Sequence, residues 1–248
     1  RHWDSKVRPE YRSVNNLDIK EKRIKELRSL GFTTAHLAPK QGIFKGQTGI
    51  VNLSNIPRAI SSSIAQVIDF KYQPKGTKTY PRSLLGVIAH IRQTFYDSEW
   101  YLKSQEIVQS YPAENKALAS NSSLESLGLS RALKKPFAFI SSDDNSASRL
   151  MNISKEFGLN PWILGSGHEY RQLDQFNKLN PFFIMPIDFP SKPSVTKYMS
   201  DLQYTTAELK HWDVAPDNLS YLNRAGHDFS ITSHRLLKKS EFRKNLER

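Results

Sequence analysis

Between residues 135 and 234 one unit recurs: a short apolar run, a polar turn, then a stretch with helical spacing. The apolar runs are Phe137-Ala-Phe-Ile-Ser141, Pro161-Trp-Ile-Leu-Gly165, Phe182-Phe-Ile-Met185 and Phe229-Ser-Ile-Thr232. A strand with one solvated face alternates apolar and polar residues. Unbroken apolar runs belong to strands covered on both faces, the signature of a parallel sheet. The stretches 146–158 and 168–180 carry helical spacing and end at Gly158 and Asn180, residues that tolerate the left-handed backbone of a helix stop. The class read from this repeat is α/β. In such folds ligands meet the protein just past the carboxyl ends of the strands. That places the candidate site at Ser141, Ser142, Asp143 and Asp144, at Gly165, Ser166 and His168, at Asp188, and at Ser233 and His234.

Upstream, residues 18–30 read as a helix, with Leu17, Ile24, Leu27 and Leu30 on one face and Gly31 as terminator. Phe32-Thr-Thr-Ala-His-Leu-Ala38 reads as a strand closed by Pro39, and residues 50–53 and 64–72 as two more. Gly42, Gly46 and Gly49 superficially resemble a phosphate loop. They lack the closing Gly-Lys-Ser/Thr and a following helix, so they read as a turn where backbone passes closely. Residues 81–107 form the longest predicted helix, with Pro81 in its first turn and His90 as a packing or surface residue. The Ser- and Asn-rich stretch 108–130 reads as an insertion or lid, with a short helix over 123–133, inside a single domain spanning 1–248.

Composition removes several classes of chemistry. The absence of cysteine excludes disulfides, zinc–thiolate sites and thiol nucleophiles. Mean hydropathy is −0.56, and no apolar run approaches the roughly 20 residues of a membrane span. The formal charge is +12 and the pI ≈ 9.7. The basic clusters at 20–28 and 235–248 are interleaved with Glu21, Glu26, Glu241 and Glu247, as on solvated helix faces. A basic surface is therefore favoured over a nucleic-acid footprint, and no zinc-finger, RNA-recognition or KH pattern supports the latter. The opening Arg1-His2-Trp3-Asp4 has neither an initiator Met nor a signal sequence, which reads as a processed or excised piece.

Each candidate side chain has a second reading. Asp143 and Asp144 form a carboxylate pair able to act as acid and base or to hold a cation; they also suit capping of the helix that follows, the favoured role. His168 follows Gly165-Ser-Gly167, where backbone amides at a helix start could meet a ligand, and it is the nearest candidate metal ligand. Asp188, between Pro186 and Pro190, also suits a turn. A triad composed from Ser141, His168 and Asp188 is discounted, because the chain has no Gly-x-Ser-x-Gly elbow.

Six blocks in order carry a family resemblance: Val7-Arg-Pro-Glu-Tyr-Arg12, Gly31-Phe-Thr-Thr-Ala35, Gly42-Ile-Phe-Lys-Gly-Gln-Thr-Gly49, the stretch 86–101, Ser141-Ser-Asp-Asp144 and Thr232-Ser-His-Arg-Leu236. Together they resemble the amidohydrolase superfamily, nearest to an imidazolonepropionase-related branch of large bacterial exported proteins. The resemblance implies a (β/α)8 TIM-type barrel, here lacking its first strand, and hydrolysis of C–N bonds in small molecules. It also implies export, and other parts of the polypeptide or a second subunit covering the barrel. One or two divalent metals, such as zinc, would supply hydroxide from bound water near neutral pH. The family's metal ligands have no clean match. The first-strand His-x-His has no counterpart in His2-Trp3-Asp4. The fifth-strand histidine falls on Ser141-Ser142, the sixth on Gly165-Ser166 near His168, and the last-strand aspartate on Ser233-His234. No cofactor is therefore expected within this segment, unless a metal site is completed elsewhere. Two readings stay open: a domain of a C–N hydrolase, or a degenerate, metal-free barrel kept for binding or assembly.

Overall fold

The computed structural model describes all residues except 16, 18, 72–79, 114, 115, 117, 142, 143, 195–203 and 248. The described chain divides into two compact units, residues 1–140 with 152–161 and residues 141–151 with 162–248.

The first unit holds two sheets. Strands β1 (Thr34–Leu37), β3 (Gly49–Asn52) and β4 (Ala59–Ser61) form an antiparallel sheet in the order β1-β3-β4. In the second, β2 (Phe44–Gln47) pairs antiparallel with β5 (Gln66–Asp69), and β5 runs parallel to β6 (Pro136–Ile140), with Val67 opposite Ala138 and Asp69 opposite Ile140. The N-terminal segment joins β2 through bridges from Val7 to Phe44 and from Arg12 to Gln47.

Strand β2 occupies the glycine-punctuated stretch that the sequence marks as a turn. The close passage expected there is real: Gly46 has φ +116°, and a Cβ at that position would stand 2.4 Å from the Tyr11 carbonyl oxygen. The strand survives because its register shifts between Phe44 and Gly46, the bulge that a glycine permits.

Helix α1 (Glu21–Ser29) is shorter than its apolar stripe predicts and buries only Ile24. Helix α2 (Leu84–Ser110) starts where the Ser83 hydroxyl accepts from the Gly86 amide at 3.1 Å. Its buried stripe runs through Val87, His90, Ile91, Thr94, Phe95, Ser98 and Tyr101, while Leu85 and Trp100 are exposed. Phe95 anchors the core, stacked on Phe157 at 4.7 Å and edge-on to Phe44 at 5.4 Å. Burying such a ring contributes about 2–3 kcal/mol. Helix α3 (Ser122–Ala132) starts within the stretch 108–130 read as an insertion, runs two residues past it, and packs closely on α2. A Cβ on Gly128 would meet Leu102 Cδ1 at 2.3 Å, and the Ser98 hydroxyl donates to the Leu124 carbonyl at 2.9 Å.

In the second unit β7 (Asn160–Leu164), β8 (Phe182–Pro186) and β9 (Phe229–Thr232) run parallel, as their apolar runs predict. Trp162 stands opposite Phe182, and Phe183 opposite Phe229. The chain passes between the units within β7 and within helix α4 (Asp144–Phe157). The core of this unit gathers Ile163, Phe176, Phe183, Met185 and Leu222, all nearly inaccessible to solvent.

The predicted helix 168–180 is reduced to a 3-10 turn, Glu169–Arg171, and the single turn α5 (Leu173–Phe176). Gln172, at φ −137° and ψ 29°, lies outside the helical region and interrupts it. Helix α6 (Thr206–Val214) opens on a capping box between Thr205 and Glu208. A 3-10 turn, Ala215–Asp217, leads into α7 (Asn218–Arg224), and α8 (Glu241–Leu246) is the last described helix. No described helix is long and apolar enough to cross a membrane.

Candidate functional site at the strand ends

The carboxyl ends of β7, β8 and β9 bring Ser166, Asp188 and Arg235 together. Arg235 Nε stands 3.0 Å from Asp188 Oδ2, and its terminal nitrogen donates to Asp188 Oδ1 at 3.0 Å and to the Ser166 carbonyl at 2.9 Å. One guanidinium thus ties the ends of three parallel strands, the fork geometry that arginine alone offers a carboxylate. Arg235 reaches it from a left-handed backbone, φ +67°.

Beneath lies a buried carboxylate that the sequence reading passed over. Glu169 is 3% exposed. Its Oε1 accepts from the Ser166 amide at 2.6 Å and the Ser166 hydroxyl at 3.0 Å. Its Oε2 accepts from the Gly167 amide at 3.0 Å and Asn218 Nδ2 at 2.9 Å. Asn218 Oδ1 in turn accepts from the Tyr170 amide at 2.8 Å. The signal for Glu169 was present as the Ser166-x-x-Glu169 spacing of a capping box, in which the acidic side chain reaches back to the amide three residues earlier. Gly165 is glycine for a packing reason, since a Cβ there would press on Met185 Sδ at 2.5 Å and on Glu169 Oε1 at 3.0 Å.

A narrow pocket opens beside this network, lined among others by Ser166, Gly167, Asp188, His211, Asn218 and Leu219. Its free volume is ≈ 20 Å³, room for about one water-sized group. His211, delivered by α6, is a second residue absent from the sequence reading. Its ring lies flat on His168, with centroids 3.7 Å apart and planes 15° apart, and its Nδ1 is 3.4 Å from the Tyr170 hydroxyl. That hydroxyl also accepts from Arg171 Nε at 3.1 Å. His168 Nδ1 is buried without a hydrogen-bond partner. Next to His211, Trp212 buries its indole Nε1, also without a partner.

The remaining candidates fall elsewhere. Ser141 is buried, and its amide donates to the Leu164 carbonyl at 3.1 Å. Ser233 uses its carbonyl to accept from Lys239 Nζ, and His234 is exposed, its amide donating to Thr232 Oγ1 at 3.1 Å. Neither of these last two lines the pocket. Ser142 and Asp143 lie outside the described residues; Asp144 begins α4, and its side chain is not described.

The donor set at the strand ends does not fit a divalent metal. Among the described residues no three His, Asp or Glu side chains cluster as ligands. The Glu169 carboxylate is saturated by four donors, and Asp188 is paired with Arg235. Two imidazoles in nearly parallel planes 3.7 Å apart cannot both place an in-plane lone pair about 2 Å from one ion.

No protein-family model matches the chain, and no curated protein matches it in sequence. A solved structure does match in fold. Over 91% of its length, at 17% identity and a TM-score of 0.68, the chain shares the fold of an amidohydrolase from Thermotoga maritima, and it spans 57% of that protein's chain.

Proposed function

We propose that this chain is an amidohydrolase-type barrel domain of a hydrolase that cleaves non-peptide C–N bonds in small molecules. The observation that carries the reading is the pocket at the carboxyl ends of parallel β7 and β8, where this class of fold keeps its chemistry. The fold shared with the Thermotoga maritima amidohydrolase supports it. On this reading His211, held by His168 and Tyr170, is the lining group that exchanges a proton. Ser166 and Asn218 shape the wall, and Glu169 and Arg235 hold that wall in place without touching substrate. The narrow pocket takes the end of a substrate, and the metal ligands of the family site come from residues other than these. An imidazolonepropionase-related branch and an exported parent protein belong to the same proposal.

One observation favours a second reading. The carboxylates of Glu169 and Asp188 are both committed to internal partners, which suits a degenerate barrel kept for binding or assembly. Elemental analysis of the full chain purified without chelators, with hydrolysis assays on N-acyl and cyclic amides, separates the two. One or two equivalents of zinc, iron or manganese per chain, with hydrolysis lost in His211→Ala, supports the hydrolase. A folded chain that stays inactive after reloading with zinc or manganese overturns it in favour of the second.

A further inference from the structure

The first unit contains a cavity of ≈ 760 Å³, within the roughly 300–1,000 Å³ typical of small-molecule sites. It is built by the segment after Val7, the approach to α1, the residues following β1, and β2. Its lining includes the cations Arg8, Lys20, Arg23, Lys40 and Lys45 and, among the described residues, no acidic one.

Charge pairing divides these five. Lys45 is buried and paired with Asp69 at 2.7 Å, and Arg23 stands 3.6 Å from Glu26 on the exposed face of α1. Arg8 lies over the Tyr11 ring, its guanidinium carbon 4.4 Å from the centroid. Arg8, Lys20 and Lys40 have no carboxylate partner among the described residues. Lys20 is also the N-cap of α1, whose first amides receive no side-chain cap; Glu21, the nearest carboxylate in sequence, is turned to Lys25 at 2.6 Å. Positive charge gathered around a concave, partly apolar wall repels itself and concentrates anions. The helix start adds its partial positive charge in the same place. Tyr11 and Leu37 supply flat and apolar surface beside the cations.

We propose that this cavity binds a small polyanion of the phosphate-ester class, with Arg8, Lys20 and Lys40 meeting its charge and Tyr11 and Leu37 its body. The site belongs to the first unit and stands whether or not the hydrolase reading does. Titration calorimetry of the full chain with inorganic pyrophosphate, at about 50 mM salt to limit screening, tests it. Saturable binding at one site per chain is expected, weakened about tenfold or more in Arg8→Ala/Lys40→Ala. The equally discharged Lys238→Ala/Lys244→Ala, in the exposed C-terminal segment, keeps parental affinity. Circular dichroism confirms that each variant is folded, and Lys40→Glu, at an exposed position, serves if Arg8→Ala is not. Absence of saturation, or equal losses in both double variants, reduces the effect to net charge and overturns the site. Tighter binding of citrate than of pyrophosphate overturns the phosphate-ester class.

Discussion

Glu169 is the side chain on which the strand-end geometry depends most. A buried carboxylate holding four donors is stable only while all remain in place, since losing it strands two amides, a hydroxyl and the Asn218 amide group. Glu169→Ala is expected to lower unfolding free energy by about 3 kcal/mol and Glu169→Gln by less, because glutamine keeps one acceptor oxygen. Urea unfolding measures both, and a change in Glu169→Ala below about 0.5 kcal/mol contradicts the network. Histidine sets a second effect at this scale. Burial holds His90 and His227 below the ordinary imidazole value of 6.5, against the pull of Asp4 on His90 at 3.0 Å. His227 Nδ1 lies 2.8 Å from Asn180 Oδ1. On acidification the unfolded chain takes up these protons first, so it gains relative to the fold. Their contribution is complete above pH 6.5 and is lost as pH falls from there through the folded-state values. Melting temperature should fall between pH 7 and pH 5, and less steeply in His227→Gln; a flat parental profile contradicts the assignment.

At the scale of elements, β2 is the test of how backbone sterics override pattern. Gly46→Ala must place a methyl against the Tyr11 carbonyl from a backbone at φ +116°, and neither strain is relieved by moving a flexible side chain. A loss of at least about 2 kcal/mol in urea unfolding is expected, whereas parental stability would mean that the bulge can be rebuilt. Strands β6, β7 and β8 were legible because each carries an unbroken apolar run of the kind a covered strand has. β9 is the weaker alternating run Phe229-Ser-Ile-Thr232, and all four fall within a residue or two of the predicted runs. β2 was not legible, because Phe44-Lys-Gly-Gln47 contains neither an apolar run nor an alternation; the N-terminal segment bridges to Phe44 and Gln47, and Phe95 of α2 packs on Phe44. The site was half legible for the same reason. Ser166 and Asp188 follow strands and so could be located. His211 and Asn218 arrive from α6 and α7 through tertiary packing that leaves no local periodicity, whereas Arg235, three residues past β9, was passed over for its neighbours Ser233 and His234. On α2 residue polarity does not mark the buried face: His90, read as a packing or surface residue, is buried with Thr94 and Ser98, while Leu85 is 76% exposed.

Taken whole, the molecule carries a net charge of +12, and much of it is solvated. On the second-unit surface the excess is diffuse, with Lys238 and Lys244 exposed, Glu241 between them and Glu247 just beyond. A labelled DNA duplex is therefore expected to bind weakly at about 20 mM salt, without sequence preference, and to be released by about 150 mM. Retention at that salt would demand a dedicated nucleic-acid surface. The four tryptophans divide by environment: Trp3 and Trp100 are 77% and 61% exposed, whereas Trp162 packs on Phe182 at 5.4 Å and Trp212 sits beside the pocket histidine. An indole N–H sealed from solvent and left without an acceptor makes Trp212 an intrinsic optical reporter, emitting at shorter wavelength than the two wet indoles. Whatever enters beside His211 should be visible in its fluorescence before any product is.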